Sequence, residues 1–262
     1  MADEKPKTMR QDGTLKDNRR VCDELAEPII DPDCPELFPD VVQNRLKELT
    51  QLSPLEALES EAAFIGSLNG LRLRAFHFSR LLPHELDLIK SQGLLPFRRD
   101  LFTRKIQLAV HHGYLDEGRA SALMSTSMYG TYEELRAYFQ SQIPRREGQV
   151  HACIGLTKLD DPSDFELLQG KWGGEGIYFA TDRRVDQSRP QLGTPVMVEL
   201  ALRLDANRPL HFRPSLSSVL SRSEGESSGD VQINGAVAPS EIVRILEPGD
   251  ADYDRHPGLS QS

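Results

Sequence analysis

A histidine and a serine lie in a sequence setting that could support chemistry on a bound ligand. His77 stands between Phe76 and Phe78 in an alternating run that predicts a β-strand over 71–79. Successive side chains of a strand point to opposite faces, so His77 and Ser79 share the face opposite the phenylalanines. If the phenylalanines pack on the core, the imidazole faces a neighbouring space. A core histidine bonded to a backbone carbonyl is the alternative interpretation.

A glycine-rich segment is the second candidate. Gly173, Gly174 and Gly176 fall within four positions, and they allow the backbone to approach another group closely. A strand that carries Tyr178 is predicted directly after them, over 176–180. The segment lacks the Lys-Ser/Thr pair and the helix that follow a phosphate-binding loop. It is therefore either a ligand-contacting turn or a tight turn that enters a buried strand.

Two acidic residues begin predicted strands near the end of the folded region. Asp230 follows the polar loop 221–229, where a side chain can face a cleft while its backbone is held in a strand. Glu241 begins the last predicted strand. Taken alone, either carboxylate is more often a solvated charge at a strand end than a catalytic group.

Composition limits the classes of function. The chain has 262 residues, of which 38% are hydrophobic and 27% charged, so it can bury a core within one large domain. The formal net charge of −9 disfavours electrostatic binding of nucleic acid or of an anionic membrane over the whole surface. No apolar run is long enough to span a membrane. Neither the cysteines, Cys22, Cys34 and Cys153, nor the histidines have metal-ligand spacing, so we expect no metal.

The order of the predicted elements favours one α+β domain over 37–250. Residues 1–36 are predicted to form a disordered leader and 251–262 a disordered tail, because both are polar and lack periodic apolar residues. Helices begin the domain, one of them at a capping box on Ser53, and a helical insertion covers about 100–141. The regular βαβ alternation of a doubly wound nucleotide fold is missing. Further helices are predicted at 84–92, 101–111, 116–123, 131–140 and 162–168, and further strands at 150–156, 195–203, 231–233 and 241–246.

In this order the three segments resemble the ADP-ribosyltransferase superfamily, in particular the branch typified by diphtheria toxin and the poly(ADP-ribose) polymerases. In that branch a histidine on the first strand precedes a helix and a Gly-Leu pair, which Gly93 and Leu94 match here. The run Gly176-Ile-Tyr-Phe-Ala180 is similar to the second family motif, and 195–202 and 235–242 are similar to its later strands. The resemblance covers about residues 71–247 and implies a split β-sheet core, with the helical insertion outside it.

The resemblance also implies an NAD site. His77 would bind a ribose hydroxyl, and Tyr178 would stack on the planar nicotinamide. Ser79 and Gly176 would belong to the same site, and Arg80 would reach the diphosphate. A carboxylate would stabilise the oxocarbenium character that develops on the ribose when the nicotinamide leaves.

The family's acid is usually a glutamate, and this chain departs from that pattern. Counting back from Gly235 places Asp230, one methylene shorter, at the matching position. Glu241 falls later in the motif and stays open as the alternative catalytic acid. The stretch from Arg72 to Lys105 has eight basic and three acidic residues, a local excess that suits an anionic cofactor.

The function implied by the resemblance is that of a mono-ADP-ribosyltransferase. It would cleave NAD at the nicotinamide–ribose bond and transfer ADP-ribose to a macromolecule, with a protein acceptor favoured over nucleic acid. A toxin or effector role is expected, either in the cytoplasm or in a host cell reached through an uncleaved leader.

Three alternatives stay open. The domain could be a catalytically inactive binding or scaffold module, in which the aspartate at position 230 reflects lost catalysis. It could be a relative of the RNA 2′-phosphate transferases. A different branch of the same superfamily uses an arginine on the first strand and a Ser-Thr-Ser strand, places that Arg74 and 125–127 could fill.

Overall fold

The computed structural model describes residues 28–49, 63–127, 129, 146–156, 168–170, 172–173, 192–205, 208, 210–221 and 228–255. Two 3-10 helices, at Pro35–Leu37 and Pro239–Glu241, accompany the longer elements. In chain order these elements are β1 (Ile29–Ile30), α1 (Asp40–Leu49), β2 (Arg72–Leu81), α2 (Pro83–Gln92), α3 (Arg99–His111), α4 (Glu117–Ser125), β3 (Gln149–Ile154), β4 (Thr194–Arg203), β5 (Leu210–Arg213), α5 (Leu216–Ser221), β6 (Gly229–Asn234), β7 (Ile242–Leu246) and α6 (Ala251–Asp254).

The predicted α+β class is confirmed. Seven strands form one sheet in the order β5-β6-β3-β2-β4-β7, in which neighbours are antiparallel, and β1 pairs in parallel with β2. β2 and β4 stay in register from Arg72 opposite Arg203 to Leu81 opposite Thr194. On its other side β2 is in register with β3 at one position, Phe76 opposite Cys153.

The two faces of β2 pack into different clusters. Leu73 and Ala75 belong to the largest cluster, which also includes side chains of α1 and α5. On the other face, Phe76 and Phe78 pack with Met197, Leu246 and Tyr253. The phenylalanines therefore pack on a core, and the His77 side chain points to the other face of β2.

The predicted boundary between the disordered leader and the folded domain, at residue 36, is wrong. Residues 28–36 belong to the fold, since Ile30 is fully buried in β1 and Asp31 pairs with Arg74. Burial of Cys34, together with nearby carboxylates, raises the pKa of its thiol to about 12. Sequence composition could not show that residues 28–36 are folded, because Arg74, the partner of Asp31, lies far along the chain.

The predicted disordered tail is also wrong at its beginning. Tyr253 in α6 is fully buried, and its hydroxyl donates to Gln169 Oε1 at 3.0 Å. Asp252 forms an ion pair with Arg244 of β7. A polar sequence therefore joins the fold through one aromatic anchor and one charge.

Most element boundaries are close to the predicted ones, but among the described residues four short elements, β1, β5, α5 and α6, were not predicted. β5 and α5 have four and six residues, too few to show a periodic apolar pattern. The predicted capping box at Ser53, the helix at 131–140, most of the helix at 162–168 and the strand at 176–180 lie outside the described residues. Within the described part of the chain, no helix is long and apolar enough to cross a membrane.

A buried ion cluster connects β1, β2, β4 and β7. Glu199 is fully buried, and its two carboxylate oxygens lie 2.7 Å from Arg74 Nε and 2.5 Å from Arg244 Nε. The Arg74 guanidinium also lies 2.8 Å from Asp31 Oδ2. Burial lowers the pKa of Arg74, but the two carboxylates raise it more, so the side chain stays charged.

Removal of the Glu199 carboxylate should destabilise the fold strongly, because two arginines would lose their shared buried counterion. We expect Glu199→Ala to lower the free energy of unfolding by about 3–5 kcal/mol. The measurement is urea-induced unfolding, with Glu117→Ala in the exposed first turn of α4 as the control. A loss below about 1 kcal/mol for Glu199→Ala would contradict the role of this cluster.

Candidate functional site

A cavity of about 470 Å³ lies where β2 and β3 separate. The carbonyl of Gln149, at the start of β3, accepts the N–H of Phe97. The start of β3 is therefore bonded to the chain between α2 and α3 rather than to β2. The cavity wall combines His77 and Ser79 of β2, Asp230 of β6 and apolar side chains of α2 and α3 such as Leu88 and Leu108.

The His77 ring is oriented by the neighbouring strand. Its Nδ1 lies 2.7 Å from the carbonyl oxygen of His151. Because a carbonyl can only accept, Nδ1 carries a proton and donates it in this hydrogen bond. His77 thus makes the backbone hydrogen bond of the core interpretation and also lines the cavity, next to the buried Ser79.

Arg80 is not brought to this cavity. It lies on the strand face opposite His77, and its Nη1 donates to the carbonyl of Gln169 at 3.3 Å. Arg104 of α3 and Arg146 do line the cavity, and Arg104 forms no ion pair with any residue that the structure describes. A cation for an anionic ligand is therefore available, but not at the position predicted.

The positive balance of the stretch from Arg72 to Lys105 is largely used inside the fold. Arg72 donates to the carbonyl of Ala201, and Arg74 is paired in the buried ion cluster. Lys105 lines the cavity, where it is paired with a carboxylate oxygen of Glu85 at 2.5 Å. A charge count along the sequence does not separate paired cations from cations that are left to face a ligand.

The two candidate acids have different surroundings. Asp230 is exposed at the start of β6, opposite Cys153 of β3, and it lines the cavity. Glu241 is 8% exposed, and its Oε1 accepts from the backbone N–H of Arg203 at 2.9 Å and from Arg208 Nη1 at 2.5 Å. Glu241 therefore has a structural role, and Asp230 is the acid that shares the cavity with His77.

Arg74 and residues 125–127, which could match the alternative branch of the superfamily, do not lie on one strand face. Arg74 lies on the face of β2 opposite His77, within the buried ion cluster. Ser125 is the last residue of α4, and Thr126 is its C-cap. The structure thus gives no support to that alternative assignment.

Gly93 connects the first and last motifs. Its φ is +80°, and a Cβ at this position would lie 1.9 Å from the carbonyl oxygen of Val237. Leu94 and Val237 exchange two backbone hydrogen bonds of 3.0 and 2.9 Å. A glycine is required here because the two chain segments touch.

Gly176 and Tyr178 lie outside the described residues, so their predicted roles stay predictions. Trp172 and Gly173, earlier in the same segment, are described. They show a buried pair, Trp172 with Glu85, that sequence reasoning missed. Trp172 donates its indole N–H to Glu85 Oε2 at 2.9 Å. Two features of the sequence could have indicated this pair: Glu85 is the third residue of a helix that begins with Pro83, and Trp172 is the chain's one tryptophan.

Comparisons with protein-family models, with curated proteins and with solved structures found no match. Among the residues that the structure describes, no group of three His, Cys, Asp or Glu side chains is placed to hold a metal ion. The site must therefore be interpreted from its own geometry.

The different surroundings of the two acids predict effects on stability of different size. Glu241→Gln should lower the free energy of unfolding by about 1–3 kcal/mol, because it weakens charge-assisted bonds that are mostly buried. Asp230→Asn, at an exposed position, should change it by less than about 0.5 kcal/mol. Urea-induced unfolding of both variants provides the measurement. Equal losses for the two variants would contradict the distinction.

Proposed function

We propose that the protein is a mono-ADP-ribosyltransferase, which cleaves NAD at the nicotinamide–ribose bond and transfers ADP-ribose to an acceptor. One observation carries the proposal: His77, Ser79 and Asp230 all line the cavity that lies where β2 separates from β3. These residues come from the first and third of the sequence segments that resemble the family. An opening in the sheet at this strand is also what the expected split core would require.

In the proposed reaction, His77, Asp230 and Tyr178 each contact a different part of NAD. His77, whose ring is oriented through Nδ1, exchanges a hydrogen bond with a ribose hydroxyl through Nε2 and fixes the sugar. When the C–N bond breaks, its electron pair leaves with nicotinamide, which becomes neutral, and positive charge develops on the ribose. The Asp230 carboxylate stabilises that charge. Tyr178 stacks on the nicotinamide ring, and the acceptor's nucleophile then bonds to the ribose carbon and gives up its proton.

The cavity modifies the proposed binding of the diphosphate. Arg104, on α3, lines the cavity and is exposed, whereas Arg80 is bonded to the Gln169 carbonyl. We therefore assign the diphosphate contact to Arg104, with Arg146 nearby in the same wall. Asp230 is exposed at the start of its strand, which favours an acceptor too large to enter the cavity.

The test is nicotinamide release from NAD by the purified protein. We expect Asp230→Asn to reduce the rate at least about 100-fold, since a preorganised charge that stabilises a transition state contributes on this scale. Tyr178→Ala should raise the KM for NAD. Asp87→Asn, an exposed aspartate on α2, is the matched control and should leave the rate unchanged.

The outcomes separate the alternatives. Thermal stabilisation of the wild-type protein by NAD without nicotinamide release would favour the inactive binding module. Neither release nor stabilisation would contradict both NAD-dependent functions. Removal of phosphate from an RNA 2′-phosphate would instead favour a relative of the RNA 2′-phosphate transferases.

A further inference from the structure

Glu85 is a buried carboxylate with three partners on three different parts of the chain. It is 5% exposed, and its Oε2 accepts from the backbone N–H of Leu82 at 2.8 Å and from Trp172 Nε1 at 2.9 Å. Its Oε1 lies 2.5 Å from Lys105 Nζ, on α3. A buried charge is costly unless it is paired and hydrogen-bonded, and these contacts supply both.

The three partners also keep Glu85 ionised. Burial raises the pKa of its carboxyl, but the Lys105 ammonium and the hydrogen bonds from Leu82, Lys105 and Trp172 lower the pKa more. The net pKa is below the ordinary value for a glutamate. The carboxylate therefore remains a strong acceptor for the indole N–H at neutral pH.

Trp172 fixes the beginning of the glycine-rich segment. Its ring is 2% exposed, packs with side chains of α3 and α4 such as Phe102 and Leu123, and lies 5.6 Å below Lys105 Nζ. The next residue, Gly173, lines the cavity and donates its N–H to the carbonyl of Arg80 at 2.9 Å. The segment is thus attached to the helices on one side and to β2 on the other.

We propose that Glu85 is a positioning residue, which acts through Trp172 to hold Gly173 in the cavity wall. The inference rests on the proposed function, in which this cavity binds NAD. Gly173 follows Trp172 directly, so a displaced indole would shift the backbone that donates to Arg80 and lines the cavity. This gives a role to α3 and α4, which lie outside the family resemblance.

Small displacements of a ligand-contacting group cost activity well before they cost stability. Two variants weaken the anchor in different ways. Glu85→Gln keeps the size of the side chain and an acceptor oxygen but removes the charge that attracts Lys105. Trp172→Phe keeps an aromatic ring in the apolar cluster but removes the N–H that Glu85 accepts. Glu117→Gln, at an exposed position on α4, is the matched control.

The kinetic measurement is nicotinamide release as a function of NAD concentration. We expect each anchor variant to lower kcat/KM at least about tenfold, mainly through a higher KM, while urea unfolding stays cooperative. Glu117→Gln should keep the wild-type values. Wild-type kcat/KM in both anchor variants, with an active wild-type protein, would overturn the inference.

A spectroscopic measurement tests the anchor without NAD. Trp172 is the chain's one tryptophan, so its fluorescence reports on this site alone. We expect acrylamide to quench the fluorescence of Glu85→Gln at least twofold more efficiently than that of the wild-type protein or Glu117→Gln. Unchanged quenching in Glu85→Gln would overturn the anchoring role. A wild-type protein that releases no nicotinamide would contradict the proposed function, whereas this readout would still decide whether Glu85 holds Trp172.

Discussion

The unequal pairing of β2 with its two neighbours is the constraint on which the site depends. β2 is bonded to β4 along ten positions but is in register with β3 at one, Phe76 opposite Cys153. The buried Arg74–Glu199 pair adds a charged connection between β2 and β4 on the side away from β3. The space left between β2 and β3 becomes the cavity, and His77 reaches across it to the carbonyl of His151.

The charged side chains discussed above fall into two groups that differ in burial and pairing. Arg74, Glu199 and Glu241 are buried and paired, so they hold strands and turns in place. Asp230 and Arg104 are exposed and line the cavity, so they can meet a ligand. Glu85 belongs to the first group and also lines the cavity, and its hydrogen bond to Trp172 ends one residue before Gly173 in the cavity wall.

The local patterns of the sequence predicted the elements that carry the site better than they predicted the ends of the fold. Alternation identified β2, and the Pro83 and Gly93 signals identified α2, because propensity and capping are local effects. The placement of Asp31 and Tyr253 depends on partners far along the chain, and no local pattern reports such contacts.

Side-chain roles within predicted strands were harder to assign. Alternation placed His77 and Arg80 on opposite faces, but it could not show that His77 lines the cavity while Arg80 is bonded to the carbonyl of Gln169. Similarly, Asp230 and Glu241 both begin or border strands, and burial together with the Arg208 contact distinguishes them. The resemblance to the ADP-ribosyltransferases identified the motifs, whereas the three-dimensional contacts identified which of their polar side chains are already engaged.

We propose that this cavity binds NAD with its reactive ribose near His77 and Asp230. A crystal structure of the Asp230→Asn protein with NAD tests it most directly, because the substitution should slow cleavage while preserving the fold. We predict a ribose hydroxyl at about 3 Å from His77 Nε2. The side chain at position 230 should face the carbon that bears the nicotinamide. NAD bound elsewhere, or a cavity that stays empty at saturating NAD, would contradict the account.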